Sequence, residues 1–187
     1  MGSSRIEAFT AGVIAIMVLE MDAPQSGHFL EFISQILIYI VSFTYVGIYW
    51  MNHHHLFQTV HRINGKVMII NLIILFTLSL LPLATKWLSS DFGHLSLMFY
   101  GVTLFILAIW YDRLVRVLIL IKGNKTGKVY QMHGNKKEIV SIILYLTGMV
   151  MSLIVPILSL LIYFGVATIW VVPDKRIEKS IDKICIK

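Results

Sequence analysis

The chain has 187 residues, a formal charge of +6 and a mean hydropathy of +0.79; 57% of its residues are hydrophobic and 14% are charged. A soluble globular domain has about 45–50% apolar and about 25% charged residues, so much of this surface faces lipid, which excludes an ordinary soluble enzyme and a disordered chain. The only cysteine is Cys185, which excludes an intrachain disulfide.

The first apolar segment, residues 8–19, is short for a membrane span. Twelve helical residues extend about 18 Å, whereas the hydrocarbon core is about 30 Å thick. A signal peptide is the alternative, but Glu7 offsets Arg5, and residues 21–24 (MDAP) form a poor cleavage site. We therefore predict a short mature helix that lies within a bundle.

The next apolar runs are 32–50, 67–87 and 95–111, each close to the length of one span. The run 139–172 contains no charged residue and is too long for a single span. Pro156 lies at its middle and disfavours a continuous helix. Two short helices joined by a tight turn are predicted, and the alternative is one tilted, kinked helix.

Six helices place the basic residues almost entirely on one side of the membrane. Fifteen of the 16 Lys and Arg residues fall on that side, and Lys86 falls on the other. The positive-inside rule then puts both termini in the cytoplasm and explains the basic charge without nucleic acid. The sequence predicts an all-α transmembrane domain over 1–173, with helices near 5–22, 30–57, 66–88, 94–121, 137–153 and 157–172, and a basic cytoplasmic tail over 174–187.

The polar residues indicate neither an enzyme nor a metal protein. The three consecutive histidines, residues 53–55, point about 100° apart on a helix, which favours an interfacial helix end with Trp50 in the aromatic belt over a metal site. The sequence has no P-loop, G-x-S-x-G or H-E-x-x-H motif, so we predict no enzyme and no cofactor. The filter pentapeptide T-V-G-Y-G is also missing, which excludes a carbonyl-ring filter. A pore or carrier and a non-conducting membrane protein remain.

Three segments are similar to one known family. Residues 5–16 read RIEAFTAGVIAI, which resembles the R-x-x-x-F-S-D-G-x-x-A-I signature of the transmembrane protein 175 family of potassium channels. Residues 50–57 read WMNHHHLF and resemble its W-x-N-H-H-x-L-F segment, and residues 71–82 match its N-L-x-x-L-F-x-x-S-L-L-P pattern. The resemblance covers most of the chain and is closest to prokaryotic single-repeat members.

The resemblance implies a homotetramer in a prokaryotic plasma membrane, with the four first helices around a central pore that conducts potassium. Ile16 matches the apolar residue of the first constriction, at which dewetting can gate conduction. Leu19 is assigned to the constriction as well, and Glu20 to the pore mouth, where a carboxylate ring concentrates cations. The alternative for Glu20 is a solvated helix end. The residues implied to support the pore helix are Arg5, Phe9, Thr10, Trp50, Asn52 and His53.

The sequence departs from the family pattern in two places, and these departures bear on whether the protein conducts. Ala11 replaces the aspartate of F-S-D, and about four residues, close to one helical turn, are missing before residues 18–20 (VLE). A shortened first helix motivates the alternative of a non-conducting scaffold or of a channel-like relative that has lost conduction. A carrier is a third possibility.

Overall fold

The computed structural model describes residues 3–19, 29–58, 63–122 and 136–171, and all regular structure in these ranges is helical. The predicted all-α, six-helix chain is therefore confirmed. The helices are α1 Ser3–Leu19, α2 Phe29–Gln58, α3 Gly65–Ser90, α4 His94–Lys122, α5 Lys136–Ser152 and α6 Pro156–Val171. The predicted end of the first helix at residue 22 and the tail 174–187 lie outside the described residues.

The helices pack in an order that separates α1 from the last three helices. Helices α3 and α4 form an antiparallel pair, α4 packs on α5, and α5 packs on α6. Helix α1 packs against α2 and α3, while α2 reaches across to α6. Helix α2 therefore has two packing surfaces, one that faces α1 and α3 and one that faces α4, α5 and α6.

Local hydrogen bonds set the ends of the α3–α4 pair. The side chain of Asn64 caps α3 by accepting the backbone N–H of Val67 at 3.1 Å. Helix α3 ends where the N–H of Asp91 bonds to the carbonyl of Trp87 at 2.9 Å. The connection to α4 consists of three residues, 91–93.

The apolar run 139–172 folds as two helices, so the prediction of a hairpin is confirmed and the single kinked helix is excluded. The carbonyl of Met151 accepts the N–H groups of Ile154 and Val155, at 3.0 and 2.8 Å, and closes the last turn of α5. Pro156 then begins α6, a position at which its missing N–H costs no helical hydrogen bond.

Two of the described glycines allow α4, α5 and α6 to pack closely. A Cβ atom on Gly101 of α4 would lie 2.0 Å from Oη of Tyr163, and one on Gly148 of α5 would lie 2.4 Å from Cε1 of the same ring. The Tyr163 ring is fully buried. Helices α4, α5 and α6 thus meet around one tyrosine that a larger residue at either glycine would displace.

The outer surface of the bundle is apolar. On α3, four large side chains at near-helical spacing are exposed: Ile69, Leu72, Phe76 and Leu83. Within the described residues, Gly65–Ser90 and His94–Leu118 are long and apolar enough to cross a membrane, and Ile6–Ala15 and Pro156–Val171 are shorter apolar helices. An apolar interior with an apolar exterior is the arrangement expected of a protein in lipid.

Candidate pore-helix site

Helix α1 has one face in the bundle and one face uncovered within the single chain. Ile6, Thr10 and Ile14, each four residues apart, are buried. On the opposite side, Phe9 is 58% exposed, and the small residues Ala8, Gly12 and Ala15 are exposed with it. The exposed face of α1 is therefore lined mainly by small residues.

A buried polar chain attaches α1 to both of its neighbours. The amide Nδ2 of Asn71 on α3 donates to Oγ1 of Thr10 at 3.1 Å, and Asn71 Oδ1 lies 2.8 Å from Nε2 of His53 on α2. Because the amide nitrogen faces Thr10, its oxygen is the acceptor and His53 Nε2 is the donor. All three side chains are buried, so these bonds form where water does not compete.

A second contact between α1 and α2 lies nearer the surface. Nδ1 of His54 contacts the Glu7 carboxylate, while His54 Nε2 lies 2.7 Å from the side-chain nitrogen of Gln58. The Gln58 amide is the donor to Nε2, which assigns the imidazole proton to Nδ1, facing Glu7. Trp50 stacks on the same imidazole, with ring centroids 5.7 Å apart and an interplanar angle of 12°.

The residues predicted to support the pore helix do not all connect to α1. Thr10 and His53 meet through Asn71, and Trp50 reaches α1 indirectly through His54. The side chain of Asn52 instead bonds to the carbonyl of Ile48 within α2, at 2.9 Å.

The remaining predicted site residues are located less fully. Phe9 lies on the exposed face of α1. Arg5, Ile16 and Leu19 belong to α1, but their side chains, and Glu20 altogether, lie outside the described residues. Their assigned roles stay predictions.

Sequence reasoning missed three participants, namely Glu7, His54 and Asn71. Asn71 is a lone amide in the apolar run 67–87, and a polar side chain within a span usually has a specific partner. The sequence therefore indicated that Asn71 has a partner, but it did not indicate which residues the partners are. Among the described residues, no three His, Cys, Asp or Glu side chains come together as a candidate metal site.

The fold and this site indicate a class of protein, an all-α bundle with an apolar exterior. Its first helix is held by a buried chain of hydrogen-bonded polar side chains. Comparison with known proteins makes the class specific. The family model described as the endosomal/lysosomal potassium channel TMEM175 matches residues 5–82. Those residues contain all of α2 and most of α1 and α3, and so contain every hydrogen-bonded residue of the site.

Two relatives agree with that match, and one of them covers nearly the whole chain. A protein of Chryseobacterium sp. (strain P1-3) named as a potassium channel is 43% identical over 189 residues, which is 97% of this chain and 98% of that protein. A protein of Streptomyces collinus with the same description is 29% identical over 128 residues, covering 60% and 62% of the two chains. The chain belongs to the TMEM175 family, a family of membrane channels and not of enzymes.

A solved structure supports the fold. The crystal structure of a lysosomal potassium-selective channel TMEM175 homolog from Chamaesiphon minutus superposes with a TM-score of 0.71 at 24% identity, covering 90% of this chain and 96% of that one. The six-helix arrangement is thus shared with a solved member of the family.

Proposed function

We propose that four copies of this chain surround a central pore lined by α1 and conduct potassium through the plasma membrane of a prokaryote. The observation that carries the proposal is the division of α1 into a buried face, attached through Thr10 to Asn71 and His53, and an uncovered face of small residues. A relative that covers 97% of this chain is named a potassium channel, which agrees with this role.

The proposed constriction follows from the helical repeat. Ile16 and Leu19 follow Gly12 by four and seven positions along α1, and with a repeat of about 100° per residue this spacing supports our proposal that they share the side of the uncovered face. Four such side chains around an axis form a hydrophobic constriction that conducts only when it is wetted. The sequence contains no T-V-G-Y-G segment, so this constriction replaces a filter of backbone carbonyls.

The other assigned residues support the same mechanism. Four copies of Glu20 concentrate cations at the outer mouth through their local negative potential. Arg5 and Phe9 stabilise the cytoplasmic end of α1, while Thr10, His53 and Trp50 hold it against α2 and α3. The permeant potassium ion is the sole small-molecule ligand of this mechanism, and its partners are the other subunits and lipid.

The test is potassium flux from liposomes that contain the purified protein. Flux above that of empty liposomes, larger with potassium than with sodium, supports the channel, and native mass spectrometry of the same sample is expected to give a tetramer. Flux equal to that of empty liposomes from an intact tetramer favours the non-conducting scaffold. Saturable exchange without single-channel steps favours a carrier.

Ile16→Asn tests the constriction itself. A polar side chain at this position wets the constriction, so cation leak is expected to rise several-fold and discrimination against sodium to fall. Ile143→Asn is the matched control, because Ile143 is 56% exposed on α5, and no substantial packing joins α5 to α1. Unchanged flux from an intact Ile16→Asn tetramer removes Ile16 from the pore.

A further inference from the structure

A small cavity lies on the side of α2 that faces away from α1. Helices α2, α4, α5 and α6 line it, and none of the described lining residues belongs to α1. Its volume is about 20 Å³, whereas one water molecule needs about 10–15 Å³. The cavity therefore holds one particle of the size of a water molecule or a potassium ion.

Aromatic rings form one wall of this cavity. The rings of Tyr49 and Tyr111 meet edge to face, with centroids 5.7 Å apart and an interplanar angle of 83°. Tyr111 and Trp170 meet in the same way, at 5.9 Å and 86°. A hydrogen bond of 2.7 Å from Trp170 Nε1 to Ser141 Oγ holds the indole in place. The lining of the cavity thus includes three aromatic rings, and a cation close to the face of such a ring is attracted by its quadrupole.

A carboxylate gives the same space a negative potential. Glu138 lines the cavity and is 7% exposed. It lies in the first turn of α5, the end of the helix at which the backbone dipole stabilises a negative charge. Among the described lining residues it is the one acidic side chain, and none of them is basic. Lys137, its neighbour, contacts the carbonyl of Ile169 at 3.4 Å and is not part of the lining.

We propose that this cavity is a monovalent cation site within each subunit, separate from the pore, which takes one potassium or ammonium ion between the Glu138 carboxylate and the faces of Tyr49, Tyr111 and Trp170. The ion joins α5, through Glu138, to the aromatic side chains of α2, α4 and α6. Its binding stabilises the contact of these four helices and does not require ions to pass through the site.

The test uses thallium(I), a monovalent ion close to potassium in size that quenches indole fluorescence on contact. Trp50, Trp87 and Trp110 are replaced by Phe, so that the emission reports on Trp170 alone. Thallium nitrate is then titrated into the purified full chain at constant ionic strength. We expect saturable quenching that potassium nitrate and ammonium nitrate reverse and that N-methyl-D-glucamine nitrate does not reverse, because the last ion is too large for the cavity.

Glu138→Gln is expected to weaken thallium binding at least about tenfold, because it removes a full charge beside the ion. Asp112→Asn is the matched control: it also removes a carboxylate from this end of the bundle, where Asp112 binds Arg116 and does not line the cavity. Tyr111→Leu removes one π face and keeps the carboxylate, and it decides the question if Glu138→Gln fails to fold. Quenching that is linear in thallium, that potassium does not reverse, or that survives these substitutions in folded protein overturns the proposal.

This test does not depend on conduction. Ions in a pore along α1 are not in contact with Trp170, because α6 has no substantial packing against α1. Potassium flux through Glu138→Gln is expected to persist. Saturable quenching without flux leaves the cavity site standing and rejects the channel, while flux without saturable quenching does the reverse.

Discussion

The two sides of α2 hold their neighbours by different means. Towards α1 and α3 the attachment is a short polar chain through His53 and Asn71 to Thr10. Towards α4, α5 and α6 it is aromatic: Tyr45 is fully buried and donates to the Tyr163 carbonyl at 2.5 Å. Helix α1 has one face uncovered within the single chain, so it is not enclosed by large side chains and a few directional bonds locate it. The packing of α2 against α4, α5 and α6 provides the rigid support for this attachment.

The largest expected effect is on the aromatic side. Gly101→Ala introduces a Cβ atom 2.0 Å from Tyr163 Oη, which forces the ring or α4 to move. Overpacking of a close-packed interior costs up to about 3 kcal/mol. We expect a clear fall in the thermal unfolding midpoint of the purified protein. Gly47→Ala is the control, because nothing lies within 4 Å of its new Cβ atom; an equal loss of stability in both variants contradicts the packing role of Gly101.

The polar side is expected to be weaker but more closely linked to conduction. Asn71→Leu leaves the Thr10 hydroxyl and the His53 N–H buried without their shared partner, at a cost of about 2 kcal/mol. The thermal unfolding midpoint and the potassium flux should both change, because α1 loses its attachment. Ser79→Ala, at an exposed position of the same helix, is the control. Wild-type stability and flux in Asn71→Leu would show that other contacts locate α1.

The smallest effect is expected at the outer contact between α1 and α2. The side chains of His54 and Glu7 are 36% and 25% exposed, and exposed pairs contribute less than about 1 kcal/mol because water and salt screen them. A double-mutant cycle of His54→Ala and Glu7→Gln, followed by thermal unfolding, measures the coupling. A coupling larger than the cost of Asn71→Leu would reverse the ranking of the inner and outer attachments.

Local sequence patterns predicted the helices well, because each pattern acts within one segment. The break at Pro156 separated α5 from α6 without tertiary information. Thr10 and His53 were singled out through the family resemblance, but Asn71 was not connected to them. The residues that Asn71 joins are 61 and 18 positions away in sequence, and no periodicity within one helix links such distant positions.

Asn52 shows that residues adjacent in a sequence motif need not share a contact in the folded protein. The W-x-N-H-H pattern groups Asn52 with His53, yet consecutive residues point about 100° apart on a helix. His53 therefore faces Asn71, while Asn52 lies beside the cavity that Glu138 lines. Adjacent residues of one motif thus face different neighbours of α2.

Composition and hydropathy by themselves predicted a membrane protein, because so large an apolar excess cannot be hidden from water, and apolar runs close to the length of one span predicted its helices. Charge distribution predicted the orientation, and short motifs indicated the family. The tertiary structure alone decided which distant residues come together: Thr10 with Asn71 and His53 on one side of α2, and Glu138 with three aromatic residues around one cavity on another. Such meetings depend on how helices distant in sequence rotate and pack, which only the folded bundle specifies.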